Sequence, residues 1–181
     1  MDIVAGLILV TISLVFYPII ILLIYLGDRG PIFYREERVG RGGKYFRITK
    51  FRSMSTEADL ATRRVTMVGK ILRQTRLDEL PQLWSVVKGQ QSLIGPRPER
   101  PDYVKIYNDQ IPYYQVRHLI TPGLSGWAQI YQANHPHFRL ALDQTREKLS
   151  YDLYYLKNRS LWLDITIALK TIRTLLSQVG V

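Results

Sequence analysis

Residues 3–26 read IVAGLILVTISLVFYPIIILLIYL, and this almost wholly apolar stretch decides how the chain is placed. Its polar interruptions are Thr11, Ser13, Tyr17 and Tyr25. At about 1.5 Å of rise per residue, such a helix is long enough to cross a hydrocarbon core of roughly 30 Å. A cleaved signal peptide fits poorly, because no basic region precedes the stretch and no small-residue cleavage site is evident. A membrane-embedded segment is therefore expected.

Pro18 interrupts this stretch about two-thirds of the way along it. Proline removes one backbone hydrogen bond and clashes with the preceding turn, so a kink is expected. Two structures fit the pattern: a kinked single span with its N-terminus outside, and a re-entrant helix that enters and leaves on the cytoplasmic side. Periodicity alone favours the span.

The 181-residue chain has the size of one ordinary domain and is strongly basic, with a formal net charge of +10. It has no cysteine, which excludes disulfides, thiolate catalysis, Cys-ligated zinc and iron–sulfur clusters. Between Arg29 and Arg76, thirteen Lys or Arg face four Asp or Glu, directly after the apolar stretch. This placement indicates positive-inside topology. The charge predicts an acidic partner: nucleic acid, anionic lipid or a phosphorylated small molecule.

Beyond the apolar stretch, the sequence predicts several helices and one hairpin. Two segments with the composition of strands flank the glycine-rich residues 40–43. Apolar residues that recur at intervals of three and four residues predict four helices. The predicted strands are Ile32–Arg38 and Tyr45–Arg52, and the predicted helices are Glu57–Thr75, Leu80–Val87, Phe138–Leu156 and Leu161–Leu176.

The last of these helices is predicted to be amphipathic. Asp164, Lys170, Thr171 and Thr174 interrupt its apolar residues, and a membrane span would not tolerate so many polar groups without partners. The helix is therefore expected either to pack on the core or to lie at the membrane interface. In the preceding helix, Lys148 is predicted on the polar side.

Two adjacent carboxylates, Asp78 and Glu79, follow a basic segment and precede Pro81. Adjacent side chains on a helix point about 100° apart, so one can be a nucleophile and the other a metal ligand or proton acceptor. Hard oxygen ligands of this kind suit Mg²⁺. The structural alternative is that the pair begins the next helix, where negative charge interacts favourably with the helix dipole and stabilises the helix by roughly 0.3 to 1 kcal/mol.

Three arginines are candidate phosphate ligands, because a guanidinium binds phosphate bidentately and stays charged at any working pH. Arg73 and Arg76 directly precede the carboxylates. Arg97 lies between Pro96 and Pro98, whose rigidity reduces the entropy lost when an anion is clamped. The alternative for Arg97 is an ordinary proline turn.

Lys50 and Arg52 form a second basic pair, on the second predicted strand. They alternate with Phe51 and are therefore predicted to share one face, which binds either substrate or lipid headgroups. The histidines form no zinc motif and are expected in surface loops, and no chemistry is assigned to the tyrosines. The histidines are His118, His135 and His137.

Ordered sequence blocks extend over nearly the whole chain. They comprise the proline-containing apolar N-terminus, Arg38-Val-Gly40, Lys50-Phe-Arg-Ser-Met54, Leu77-Asp-Glu-Leu-Pro-Gln82, Gly95-Pro-Arg-Pro98, Thr121-Pro-Gly-Leu-Ser-Gly126 and Tyr151-Asp-Leu-Tyr-Tyr155. Together they resemble the bacterial sugar transferases, the monotopic polyprenol-phosphate phosphoglycosyl transferases that initiate surface glycan synthesis. The segments 98–102 and 126–129 are most similar to members that serve exopolysaccharide assembly.

The resemblance implies a two-step transfer in which Asp78 attacks the β-phosphorus of a UDP-sugar. UMP leaves, and undecaprenyl phosphate then displaces the phosphosugar-aspartate to give polyprenyl diphosphate sugar. Glu79 would help Asp78 hold Mg²⁺, and Arg73, Arg76 and Arg97 would offset phosphate charge. Covalent catalysis of this kind divides one displacement into two.

The resemblance also favours the re-entrant form of the N-terminus, with Pro18 as the helix break and the active site on the cytoplasmic face of the bacterial inner membrane. Members often carry serine before this proline, whereas here Tyr17 stands there and cannot bond the freed backbone as serine does. The start Met1-Asp2 lacks the basic residues that usually precede the helix, so the chain is expected to be trimmed or part of a longer protein.

The expected architecture is a predominantly helical α+β fold with a small β-hairpin and interfacial amphipathic helices. It has a re-entrant membrane helix over residues 1–27 and a catalytic domain over residues 28–181. Expected partners are a UDP-sugar, undecaprenyl phosphate and membrane lipid, with downstream glycosyltransferases or a second copy as candidates and no nucleic acid. Two rival functions stay open: a noncatalytic basic module that binds anionic lipid or nucleic acid, and a metal-dependent phosphohydrolase.

Overall fold

The computed structural model describes residues 2–57, 63–132 and 141–177, and the chain divides into two compact units. Unit 1 consists of Met1–Glu36, Ile48–Val87 and Arg173–Val181, and unit 2 consists of Glu37–Arg47 and Lys88–Ile172. Helices predominate in the described residues, together with a hairpin and one further pair of short strands. The predicted class, a mostly helical α+β fold with a small hairpin, is confirmed.

The apolar N-terminus forms two helices instead of one. Helix α1 runs over Asp2–Leu14 and helix α2 over Tyr17–Gly27, with a bend of 55° between them. Pro18 lies in the first turn of α2, where its missing N–H breaks no helical hydrogen bond. Among the described helices, none is long and apolar enough by itself to cross a membrane, whereas this bent pair passes by length and composition.

Tyr17 stabilises the break through packing. Its ring meets that of Phe51 edge-on, with the ring centroids 4.9 Å apart. Ile20 and Ile24 of α2 are buried with Phe51 and Leu72 in the core of unit 1. An edge-to-face pair contributes roughly 0.5–1.5 kcal/mol beyond its buried area. Aromatic packing therefore takes the place of the local hydrogen bond that a serine would make.

The predicted hairpin is confirmed. Strand β1 runs over Phe33–Val39, strand β2 over Tyr45–Phe51, and the two pair in a two-stranded sheet. The connection Arg41–Gly43 forms a 3-10 turn, in which Gly42 and Gly43 have φ values of 66° and 76°. Glycine adopts such angles at little steric cost, which explains the glycine cluster between the strands.

The next helix is shorter than predicted. Helix α3 runs over Met67–Gln74, and the Thr66 side chain caps it by accepting from the backbone N–H of Gly69. The predicted start at Glu57 is wrong, because Glu57 and residues 63–66 are not helical and Val65 forms an antiparallel bridge with Met54. Residues 58–62 of the predicted helix lie outside the described residues.

A 3-10 helix over Leu77–Gln82 follows α3 and leads directly into helix α4, Leu83–Val87. The predicted apolar helix over residues 80–87 is therefore present in two parts. Helix α4 stops just before Gly89, whose φ of 70° is typical of a helix terminus.

The two Pro/Gly loops of the sequence meet in unit 2. Strand β3, Ser92–Ile94, pairs in parallel with strand β4, Gly123–Ser125. A Cβ atom on Gly123 would overlap the backbone nitrogen of Gly95, so any larger residue would force the strands apart. The close backbone approach explains why both loops carry glycine at these positions.

Unit 2 contains a tyrosine-rich core and four further helices. Tyr107, Tyr114 and Leu149 are buried together in this core. The predicted helix over residues 138–156 begins at Leu142, and Phe138–Leu140 lie outside the described residues. The helices are α5 (Pro101–Gln110), the 3-10 helix Tyr114–Leu119, α6 (Trp127–Tyr131) and α7 (Leu142–Asn158).

Helix α8 runs over Leu161–Leu176 and is amphipathic, as predicted. Its polar residues within unit 2 have partners: Asp164 accepts from the Tyr155 hydroxyl at 2.6 Å, and Thr171 shares a hydrogen bond with Ser125 at 2.6 Å. Another face leaves large apolar side chains exposed at helical spacing. These side chains are Leu161, Trp162, Ile165, Leu169 and Ile172.

Candidate active site

The carboxylate pair Asp78 and Glu79 lies in the first turn of the 3-10 helix Leu77–Gln82. Arg76, the residue directly before this 3-10 helix, has φ 58° and ψ 13°. A residue with a side chain adopts this left-handed conformation at a cost of roughly 1–2 kcal/mol. The pair begins a helix, as the structural alternative proposed. Backbone strain beside it is also typical of functional sites.

Asp78 is buried, with 8% of its surface exposed. Within the described residues, no hydrogen-bond partner reaches its Oδ1 atom. Burial raises the pKa of Asp78 and Glu79 raises it further, whereas the positive charges of Lys50, Arg73 and Arg76 lower it. A carboxylate oxygen without a hydrogen-bond partner is more nucleophilic than a solvated one, and the three cations favour the ionised form of Asp78.

Lys50 binds the second carboxylate of the pair. Its Nζ atom lies 2.6 Å from Oε1 of Glu79, and both side chains are largely buried. Lys50 comes from strand β2, so the hairpin supplies this cation. The ion pair fixes Glu79 and keeps an ammonium group close enough to influence Asp78.

Arg73 and Arg76 precede Asp78 in the sequence. Arg73 is in the last turn of α3, where its Nε donates to Oγ of Ser53 at 2.8 Å. The side chain of Arg76 is exposed. The structure therefore brings Lys50, Arg73 and Arg76 together around Asp78 within unit 1.

Arg52 has a different environment from Lys50. It follows strand β2, and its Nη1 donates to Oδ2 of Asp28 at 3.0 Å, while Nη2 donates to the backbone carbonyl of Asp28. Only 9% of the Arg52 side chain is exposed. Arg52 thus binds the residue that follows α2, and its predicted role in phosphate binding stays a prediction.

Arg97 lies in unit 2, in the loop that follows β3, and is half-buried. Three successive backbone carbonyls of this loop each accept a hydrogen bond from residues elsewhere in unit 2. Arg117 Nη2 donates to the Arg97 carbonyl at 2.8 Å, Arg38 Nη1 to that of Pro98 at 3.0 Å, and the Val39 N–H to that of Glu99 at 2.9 Å.

A buried network of charges supports this loop, and the sequence-based analysis missed it. Arg117 binds Asp152 through Nε at 2.9 Å and Nη2 at 2.8 Å, and both side chains are 2% exposed. Lys148 binds Glu99, so its predicted place on the polar side of α7 is wrong. The sequence did carry one signal for this network: Lys148 and Asp152 are four residues apart, and this spacing places them on one face of α7.

The histidines contribute no metal site among the described residues, where no group of three or more His, Cys, Asp or Glu could hold an ion. His118 is half-buried, and burial together with the nearby Arg117 lowers its pKa to about 4. His118 lies in the 3-10 helix Tyr114–Leu119, so its expected position in a surface loop is wrong. His135 and His137 lie outside the described residues.

Comparison with known proteins identifies the class. A family profile described as "Bacterial sugar transferase" matches residues 1–178, so the chain belongs to the bacterial sugar transferase family. The matched range contains every block described above, including the Asp78 and Arg97 loops.

Individual relatives carry more specific names. The chain is 44% identical, over 99% of its length, to a UDP-N-acetylgalactosamine-undecaprenyl-phosphate N-acetylgalactosaminephosphotransferase of Aeromonas hydrophila, and it covers 44% of that protein. It is 37% identical, over 84% of its length, to a UDP-glucose:undecaprenyl-phosphate glucose-1-phosphate transferase of Xanthomonas campestris pv. campestris, covering 33% of it. It is 34% identical, over 99% of its length, to a protein named "Uncharacterized sugar transferase EpsL" of Bacillus subtilis (strain 168), covering 87% of it. The chain thus spans less than half of the first two relatives.

Proposed function

We propose that this chain forms the catalytic part of an undecaprenyl-phosphate sugar phosphotransferase, which moves a phosphosugar from a UDP-sugar to undecaprenyl phosphate in the first step of surface glycan or exopolysaccharide synthesis. The observation that carries the proposal is the state of Asp78. It is buried, one of its oxygens has no partner among the described residues, and three cations influence it. The family and the names of the relatives support the substrate class.

Asp78 acts as the nucleophile in the first step. A carboxylate oxygen attacks the β-phosphorus, and the bond between this phosphorus and the oxygen bridging to the α-phosphate breaks. UMP leaves with the bonding electrons, and the sugar phosphate stays on Asp78 as an acyl phosphate. Lys50, Arg73 and Arg76 are placed to offset the negative charge that gathers on the phosphate oxygens.

Undecaprenyl phosphate completes the reaction. One of its phosphate oxygens attacks the same phosphorus, the bond to the Asp78 oxygen breaks, and the carboxylate is regenerated. The product is undecaprenyl diphosphate sugar. Water must be excluded while the acyl phosphate waits for the lipid, and the burial of Asp78 serves this need.

Mg²⁺ is the proposed cofactor, and the donor set fits it. Proteins usually hold Mg²⁺ through one or two carboxylates, with substrate phosphates and water as further ligands. Asp78 offers a buried oxygen that has no partner among the described residues, and Glu79 follows it directly. These two residues would hold the ion, which would supply further charge neutralisation at the transferring phosphate.

The proposed location is the cytoplasmic face of the bacterial inner membrane, with α1 and α2 as a re-entrant pair. The 55° bend and the exposed apolar side chains of both helices support this arrangement. The exposed apolar face of α8 supports its position at the membrane interface. A substrate with a long lipid tail would then reach the enzyme from within the bilayer.

The direct test measures UMP release by the purified protein with Mg²⁺ and undecaprenyl phosphate. The donors are UDP-glucose, UDP-galactose and UDP-N-acetylgalactosamine, and one arm omits the lipid. Asp78→Asn is compared with Asp143→Asn, which makes the same chemical change at a side chain that is 96% exposed. We expect lipid-dependent release by the parent and the Asp143 variant, and none by the Asp78 variant.

Other outcomes separate the rivals. Without lipid, the parent should release UMP only in an amount stoichiometric with the enzyme. The peptide that contains Asp78 should then gain the mass of a sugar phosphate. Continuous release of sugar phosphate without lipid would indicate a phosphohydrolase. Silence with every donor would contradict the proposal and favour a noncatalytic basic module at the membrane.

A further inference from the structure

The loop around Arg97 depends on its backbone acceptors. Pro96 and Pro98 have no N–H, so the loop has few donors with which to anchor itself. The three successive carbonyl contacts described above fix it from outside instead. Two of the three donors are guanidinium groups, Arg38 and Arg117. Guanidinium groups therefore hold the backbone that follows the Arg97 Cα, and the Gly123 N–H holds the backbone before it by donating to the Pro96 carbonyl at 2.9 Å.

All three guanidinium nitrogens of Arg117 have partners in this arrangement. Its Nε and Nη2 bind Asp152, its Nη1 donates to the Tyr114 hydroxyl at 3.0 Å, and Nη2 also donates to the Arg97 carbonyl. Arg117 is only 3% exposed. A lysine has the same charge but lacks the planar fork that reaches these groups at once.

Stability alone does not account for such a pair. Desolvation of two buried charges costs several kcal/mol per ion, and apolar replacements of similar volume are often equally stable or more stable. Apolar side chains, however, could not donate to the Arg97 carbonyl. The contact with the loop is thus what the buried pair adds to unit 2.

We infer that Arg117, held by Asp152, is a positioning residue that fixes the backbone of Arg97 and so the direction of its guanidinium. The inference rests on the proposed function and on the prediction from the sequence that Arg97 binds the phosphates of the UDP-sugar. Arg117 itself is too buried to meet the substrate. Its effect on the reaction passes through Arg97.

A double-mutant cycle tests this dependence. Arg97→Ala, Arg117→Lys and the double variant are compared by kcat/KM for the UDP-sugar that the parent uses fastest. We expect Arg117→Lys to lower kcat/KM by about tenfold in the parent background and by less than about twofold in the Arg97→Ala background, because coupled residues are not additive. Gln132→Met is the matched control, since Gln132 is 3% exposed and its Nε2 donates to the Gln144 carbonyl at 2.7 Å, a contact within unit 2 that involves no residue of the 92–100 loop.

Hydrogen exchange of the peptide around residues 92–100 gives a second readout that needs no turnover. Exchange should accelerate in Arg117→Lys and stay at the parent rate in Gln132→Met. Equal losses of kcat/KM in both backgrounds, or unchanged exchange in the Arg117 variant, would overturn the inference. Failure of the proposed function is recognised separately, because it would appear as a fully active Asp78→Asn variant or as an inactive parent.

Discussion

Asp78 in unit 1 and Asp152 in unit 2 are both buried aspartates, but their surroundings differ. Asp152 is 2% exposed, accepts a hydrogen bond from Nε of Arg117 and forms an ion pair with its Nη2 at 2.8 Å. Asp78 is 8% exposed, and its Oδ1 has no partner within the described part of the chain. Burial raises the pKa of both carboxyl groups.

The comparison shows how one residue type serves two purposes. A buried carboxylate with a dedicated guanidinium is fixed in geometry and is unavailable for reaction. A buried carboxylate with an unpaired oxygen costs stability, but that oxygen stays available to a substrate or a metal ion. Satisfied charges hold a loop in unit 2, whereas an unsatisfied charge marks the candidate nucleophile in unit 1.

The largest expected effect comes from the same substitution at both sites. Asp78→Asn should lower UMP release by at least about a thousandfold, because an amide does not form the acyl phosphate, with little change in the unfolding free energy. Asp152→Asn should lower the unfolding free energy by about 3–5 kcal/mol, because it leaves Arg117 buried without its counter-charge. Urea titration and the UMP assay measure both quantities. A stable, active Asp152→Asn variant would remove the distinction between the two aspartates.

Acid should act on the paired charges first. Burial raises the pKa of Glu99, but the positive charges of Lys148 and the nearby Arg117 together outweigh it and lower this pKa to about 2, against an ordinary value of 4.5. The stability that Glu99 contributes is present above pH 4.5 and is lost as pH falls towards 2, which corresponds to about 3 kcal/mol. Unfolding free energies measured across this range should show the loss. In Glu99→Gln, the unfolding free energy should depend less steeply on pH over the same interval. An unchanged dependence on pH would assign the acid sensitivity to other groups.

The strained turn before Asp78 offers a smaller test. Arg76→Ala removes the guanidinium and keeps a Cβ at φ 58°, whereas Arg76→Gly removes both. The glycine variant should be more stable than the alanine variant by about 1 kcal/mol, because only glycine adopts this conformation without strain. Both variants should lose similar activity if the charge of Arg76 serves the phosphate. Thermal unfolding and the UMP assay distinguish strain from charge.

The smallest effect sharpens the contrast between Lys50 and Arg52. Asp28→Asn and Arg52→Lys should each lower the unfolding free energy by about 1 kcal/mol, because each weakens the same partly exposed pair. Their KM values for the UDP-sugar should change equally. A rise in KM confined to Arg52→Lys would instead identify Arg52 as a phosphate ligand, as its sequence position first suggested.

Local sequence signals were sufficient where the physics is local. Pro18 predicted the break between α1 and α2, and the glycine cluster at residues 40–43 predicted the hairpin turn, because both residue types restrict the backbone directly. The start of α3 was misplaced, since Val65 pairs with Met54, eleven residues earlier in the chain, and is therefore not helical. Lys148 was misplaced for a similar reason: its partner Glu99 lies 49 residues away.

The sequence by itself determined the apolar N-terminus with its break, the hairpin, the basic character and the adjacent carboxylates, because composition and short spacing encode these features. Only the tertiary structure decided how the charges are divided: Lys50 to Glu79, Arg52 to Asp28, and Arg117 to Asp152. It also decided that Asp78 is buried with an unpaired oxygen, the feature on which the proposed chemistry depends. The physical reason is that desolvation and pairing depend on neighbours brought together by the fold, and these neighbours leave no periodic pattern in the chain.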